Sequence, residues 1–202
     1  VHRLSYPLVT AALAVAALLP ITLPAAAPAA ARTGVVADPP TSGGPGRPGT
    51  DARDQVRVMS VRGAGPFRIG ARLARLSADG LIASPVPGCG TGVVHTGVTG
   101  AWAGKILLTF RDGRLVTVGT ATTPPRSPAG GSVGMTFAQL EEIYGPRGEL
   151  IGNDAGTESA YLVRVGSRVE LFTGHPIRPG VGYFQVGPAS VVERGFREAR
   201  PC

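Results

Sequence analysis

The sequence predicts an α+β protein made of two tandem repeats, each a short helix packed on one face of an antiparallel sheet. Three observations predict it. Two helix-like segments share an opening, Ile69-Gly70 and Val133-Gly134, 64 positions apart. Each is followed by a glycine-rich loop and then by runs with period-two, β-rich patterning. The first half also carries Asp112-Gly113 between two such runs, a strong hairpin signal.

The chain has 202 residues, with 30 glycines, 19 prolines and a single lysine among its 20 basic residues. Residues 1–31 open with His2 and Arg3, continue through an uncharged run from Leu8 to Leu19, and end in small residues. That order is expected of a secretory signal peptide cleaved after Ala29-Ala30-Ala31. A spanning helix is disfavoured, because Pro20, Pro24 and Pro28 each remove a helix donor. No membrane span is therefore expected after cleavage, and the protein is expected to be secreted, extracellular or wall-associated. Residues 32–55 are rich in proline, glycine and small polar side chains, which offer little to bury against the entropy of ordering the backbone. They are read as a disordered linker, leaving residues 56–202 as one domain with halves at about 62–126 and 127–202.

In the first half, "FRIGARLARLSADGL" gives a short helix that has Arg72 where a capping residue would stand, so it should be short or frayed at its start. Strands follow at "GVVHTGV", "KILLTF" and "RLVTVGT". In the second half, "GSVGMTFAQLEEIYG" is more complete. Thr136 is the N-cap, Gln139 completes a capping box, and Phe137, Leu140 and Tyr144 or Ile143 recur on one face. Gly145-Pro146 ends the helix, and Glu141 and Glu142 form its solvated side. Strands are expected at "SAYLVRV", "RVELFTG" and "VGYFQV", with the alternation of "YLVRVGSRVELF" suggesting a sheet covered on one face.

The repeated "IG" or "VGMT-x-x-x-L-x-x-x-YG" opening followed by antiparallel strands resembles the repeat of the beta-lactamase inhibitory protein family and of SmpA/OmlA-type outer-membrane assembly lipoproteins. It is also similar to secreted actinobacterial proteins of unknown function with two such halves. The resemblance covers about residues 62–202, and the first copy departs from it at Ala71 and Arg72. It implies a binding or inhibitory surface without catalysis, and it carries over no contact residue.

Cys89 and Cys202 are the only cysteines. In an oxidising compartment a disulfide between them is expected, worth about 4 to 5 kcal/mol at most in the chain-entropy model. Together with His95 and His175 they show no paired metal-ligand spacing, so no metal or other cofactor is expected. The formal charge of +7 could favour an anionic envelope polymer or an acidic protein. Scattered arginines without an interleaved aromatic signature argue against nucleic acid.

Imidazole bases in the exported part are limited to His95 and His175, both in turn-like surroundings, and no Gly-x-Ser-x-Gly elbow is present. "GCGTGVVHTG" is followed by a poor helix start, which weakens a dinucleotide reading. Residues 88–104 are read instead as a loop or hairpin held by Cys89 and displaying Trp102. Trp102, His95, Tyr183 and His175 are the candidate contact residues, Trp102 having core packing as its competing role. The leading expectation is a secreted, non-enzymatic module that binds or inhibits an unknown extracellular or envelope protein. An envelope hydrolase using a loop histidine and a basic wall-associated structural protein are the alternatives.

Overall fold

The structure, a computed structural model, describes residues 58–199. The expected signal peptide, the expected linker and Cys202 lie outside the described residues.

Three two-residue strands come first: β1 (Met59–Ser60), β2 (Gly63–Ala64) and β3 (Phe67–Arg68), paired antiparallel in that order. Helix α1 (Leu73–Ala78) has Arg72 at its N-cap and no side-chain capping bond, so it makes fewer than two turns. It leads through β4 (Val86–Pro87), β5 (Val93–Gly97), β6 (Leu107–Arg111) and β7 (Arg114–Thr120). Helix α2 (Phe137–Tyr144) then leads through β8 (Gly148–Gly152), β9 (Ser159–Val165), β10 (Arg168–Gly174) and β11 (Val181–Pro188). A last helix, α3 (Val192–Arg197), follows β11.

The architecture is α+β and mostly antiparallel. The sheet differs from the expectation of one per half: strands β4 to β11 form a single sheet in the order β4-β5-β6-β7-β11-β10-β9-β8. The joint is antiparallel, with Val118, Gly119 and Thr120 of β7 opposite Val186, Gln185 and Phe184 of β11. Each of these strands is the last of a four-strand run and would otherwise leave an open row of amides and carbonyls. Pairing the two edges satisfies both rows over these residues.

The hairpin between β6 and β7 turns on Asp112 and Gly113, whose φ of 51° and 70° fit a two-residue turn with both central residues left-handed. Helix α2 carries the complete capping box: Gln139 N donates to Thr136 Oγ1 at 3.2 Å, and Thr136 N donates to Gln139 Oε1 at 2.9 Å. Gly145 closes the helix with φ 51° and ψ −132°, a positive φ outside the helical left-handed region, so a 3-10 turn over Gly145–Arg147 continues it.

Alternation along the strands divides the sheet's two faces between two cores. Leu108, Phe110, Val118, Tyr161, Phe172 and Phe184 face one core, which is closed by Leu76 of α1, Leu140 and Tyr144 of α2, and Met59 and Phe67 of the small sheet. Phe172 and Phe184 stack there with centroids 4.3 Å apart, a contact worth about 0.5 to 1.5 kcal/mol beyond its area. On the far face, Ala160, Leu162, Val169 and Leu171 pack against Val192 and Phe196 of α3. Strands β9 and β10 are therefore covered on both sides, where their alternation had suggested one. The cover is α3, whose own sequence gives little helical signal.

Candidate functional site

Helix α3 covers the far face over the β8 to β11 end. It is pinned there by charge: Arg164 of β9 bonds Glu149 of β8, and its Nη2 donates to Glu193 Oε1 at 2.6 Å. Arg197 Nε reaches the same Glu193 oxygen at 3.0 Å. Hydrogen bonds to Glu149, then to Glu193, hold the Arg164 guanidinium more firmly in its charged form.

Beyond α3 the sheet's far face opens into a groove of about 550 Å³. Its floor carries His95 of β5, Leu107, Thr109 and Arg111 of β6, Thr117 of β7 and Gln185 of β11. One wall is the flank of α3, and the other end meets Asn153, Thr157 and Glu158 in the connection from β8 to β9. Period-two alternation explains the floor: Leu108 and Phe110 point into the core, so Leu107, Thr109 and Arg111 point away from it. Leu107 is 54 % exposed, an apolar side chain left on the open face.

His95 and Thr109 are cross-strand partners, and His95 Nδ1 lies 3.0 Å from Thr109 Oγ1. Tyr183, opposite Thr173, lays its phenol over Gly119, where any side chain would collide with the Tyr183 hydroxyl. Burial pushes that phenol's pKa up, so it stays a protonated donor. The side chains of Arg111, Thr117, Thr173, Tyr183 and Gln185 make no hydrogen bond within the described residues. Asn153 is committed internally, its Nδ2 donating to Thr157 Oγ1 at 3.0 Å and its Oδ1 accepting from Thr157 N at 2.9 Å.

Of the four candidate contact residues, His95 and Tyr183 both line this groove. Trp102 does not: it is 5 % exposed, packs in the core between sheet and helices, and presses its indole against Gly65. Its role is packing rather than contact. His175 sits in the turn from β10 to β11, where its Nδ1 accepts from Ile177 N at 3.2 Å, and it does not line the groove. The bridge expected between Cys89 and Cys202 ends on a residue outside the described ones; Cys89 itself lies exposed between β4 and β5. Glu141 and Glu142 are exposed on α2, as a solvated side requires.

A second polar cluster lies in the core. Tyr144 Oη donates to Glu170 Oε2 at 2.6 Å and lies 2.5 Å from Ser127 Oγ, which accepts from Gly131 N at 2.9 Å. Burial pushes the Glu170 carboxyl up from its ordinary range, while the Tyr144 hydrogen bond and the charge of Arg147 pull it back. The Tyr144 phenol is driven well above its usual value by burial and by the neighbouring Glu170. Its buried hydrogen bonds tie α2 to β10 and to the loop carrying Ser127. Among the described residues, no group of three His, Cys, Asp or Glu side chains could hold a metal ion, and no helix is long and apolar enough to cross a membrane.

No protein-family model matches the chain, and no curated protein matches it. A crystal structure of a DUF4309 family protein, YjgB, from Bacillus subtilis is similar over 62 % of this chain and 84 % of that one, at 14 % identity and a TM-score of 0.38. A likeness of that size fixes neither fold nor function.

Proposed function

We propose that the protein is an exported, non-enzymatic binding module of the envelope or extracellular space, and that its contact surface is the far-face groove. The observation that carries this reading is the set of groove side chains left without an internal partner: Arg111, Thr117, Thr173, Tyr183 and Gln185. They converge on one concavity, beside the exposed Leu107, on a rigid sheet.

The two-repeat organisation belongs to the same proposal. Gly70 N donates to Leu115 O and Leu115 N to Ala71 O; in the second half Gly134 N donates to Val181 O and Val181 N to Met135 O. Both pairs dock the segment before a helix onto the fourth strand that follows it. Gly70 and Gly134 both have positive φ, at 93° and 88°, and the aligned Leu76 and Leu140 are both buried. These parallels support duplication.

The test is retention of the mature protein on its own cell-envelope fraction. Tyr183→Ala combined with Gln185→Ala should abolish retention while circular dichroism and a cooperative melt, lowered by the lost packing of Tyr183 on Gly119, show the fold intact. Undiminished retention would refute the assignment of the groove.

A second reading has one observation in its favour, the 3.0 Å approach of His95 Nδ1 to Thr109 Oγ1, a hydroxyl beside an imidazole in a groove. Hydrolysis would also need a group that orients the imidazole, and among the described residues the hydrogen bond of the His95 ring is the one to Thr109. Turnover of envelope polymer abolished by Thr109→Val, with folding intact, would favour this reading.

A further inference from the structure

Arg111 lines the β6–β7 end of the groove, and two further arginines that do not line it, Arg114 and Arg72, follow it in the sheet. Arg111 and Arg114 flank the two-residue turn as cross-strand partners, and Arg114 is in turn bridged to Arg72. The bridge is of the non-hydrogen-bonded kind, because its bonds are made by the neighbours: Leu73 N to Gly113 O at 2.9 Å and Leu115 N to Ala71 O at 2.8 Å. Side chains of such a pair stand closest to one another, with Cα atoms about 4.5 Å apart. Cross-strand partners also project from the same face, so Arg114 and Arg72 extend the row that Arg111 begins in the groove.

Like charges directly opposite destabilise a sheet. None of the three guanidiniums has an ion-pair partner among the described residues; Arg114 Nη1 donates to Gly70 O at 3.3 Å, which leaves its charge unneutralised. The nearby carboxylate, Asp112, sits in the turn itself and points towards Gly92. An anion bound among the arginines would relieve the repulsion.

The rest of the groove has a different character. Its floor offers the hydroxyls of Thr117, Thr173 and Tyr183, the amide of Gln185 and the apolar Leu107. Glu158 stands at the opposite end, near β9, four strand steps from β6. At about 4.8 Å per step the two ends are roughly 19 Å apart. A carboxylate there accepts hydroxyl hydrogens and disfavours a second anion. The floor is a sheet face whose main-chain bonds are internal, so it offers an extended peptide no backbone partners; strand addition needs an edge. A groove of about 550 Å³ falls within the range of small-ligand pockets, about 300 to 1,000 Å³.

We propose that the groove binds a short saccharide carrying a carboxylate at one end, with that carboxylate among Arg111, Arg114 and Arg72 and the hydroxyl-rich body over Thr117, Tyr183 and Gln185 towards Glu158. This rests on the groove being a binding site. Guanidiniums suit a carboxylate through paired N–H donors, and the threonine, tyrosine and glutamine side chains suit sugar hydroxyls.

The experiment is titration of the mature protein with cellobiouronic acid, with cellobiose, which lacks the carboxylate, and with a hexaglutamate peptide, followed by amide NMR shifts. The acid should move groove resonances and bind roughly tenfold or more tighter than cellobiose, the worth of one charge-assisted hydrogen bond. Arg111→Gln should bring the acid down to the level of cellobiose, and added salt should weaken the acid alone. Equal binding of the two sugars, no binding of either, or tighter binding of hexaglutamate on the same resonances would overturn the proposal. If no probe binds yet Tyr183→Ala with Gln185→Ala still abolishes envelope retention, the saccharide assignment fails and the groove remains a binding site. If retention also survives those substitutions, both fall.

Discussion

Replacing Tyr144 by Phe removes one oxygen from the core and leaves the ring in place. Two partners lose a contact, and they are affected unequally. Ser127 Oγ still accepts from Gly131 N at 2.9 Å. Glu170 is 4 % exposed and loses the donor that lay 2.6 Å from its carboxylate, with Arg147 alone remaining as a favourable charge. A hydrogen bond to a buried charged group is worth about 1.5 to 3 kcal/mol. At about 3 °C per kcal/mol for a domain of this size, the variant should melt roughly 5 to 9 °C lower at neutral pH.

The pH dependence has a definite sign. Glu170 has a folded pKa above its unfolded value, so its contribution to stability is fully present below the unfolded pKa and is lost as pH rises through the folded one. The Tyr144 hydrogen bond limits that rise, and removing it pushes the folded pKa further up. The destabilisation should therefore be largest near neutral pH and shrink on acidification, where the carboxyl is protonated and needs no anion-stabilising donor. Urea melts at about pH 7.5 and about pH 4.5, repeated in a Glu170→Gln background that should remove most of the pH dependence, give the measurement. A loss below roughly 0.5 kcal/mol at neutral pH, or one of equal size at both pH values, would refute the reasoning.

Trp102→Ala should cost about 3 to 5 kcal/mol, because the indole is buried; a near-neutral melt with weakened binding would return it to the surface. Tyr161→Phe should be neutral or stabilise by up to about 1 kcal/mol, since the Tyr161 hydroxyl is buried without a partner; clear destabilisation in a thermal melt would mean that the hydroxyl is satisfied. Glu193→Gln should loosen α3 by about 1 kcal/mol at low salt, read as faster amide exchange over Val192–Arg197, and the difference should narrow as salt rises. Exchange unchanged at any salt would mean that Val192 and Phe196 hold the helix alone.

Elements whose signals are local were legible in the sequence. Thr136 and Gln139 marked the start of α2 because both halves of a capping box lie within four residues, and Asp112-Gly113 marked the hairpin because the turn demands two positive φ angles. Helix α3 was not legible: it contains Gly195, has no capping side chain, and depends on the burial of Val192 and Phe196 and on the ion pairs of Glu193. Two-residue strands such as β1 to β3 are too short to display a period. The β7 to β11 joint pairs residues more than sixty positions apart, and no local pattern encodes it. In the groove, Leu107, Thr109 and Arg111 follow from the alternation of "LLTFR", but such residue types are common on any strand and do not by themselves mark a site. A lone tryptophan carries no direction, so the burial of Trp102 needed the structure.

The antiparallel joint between β7 and β11 also bears on how such a chain could arise and how it could go astray. Antiparallel pairing of two like strands is what a two-fold axis produces, so a half-length chain ending in such a strand could hide its edge against a second copy of itself. Linking the two copies would convert a concentration-dependent dimer into a molecule that closes its own sheet at any dilution. The same joint makes a chain severed between β7 and α2 recoverable, because each piece keeps the edge that recognises the other. It also marks where two whole molecules could exchange halves.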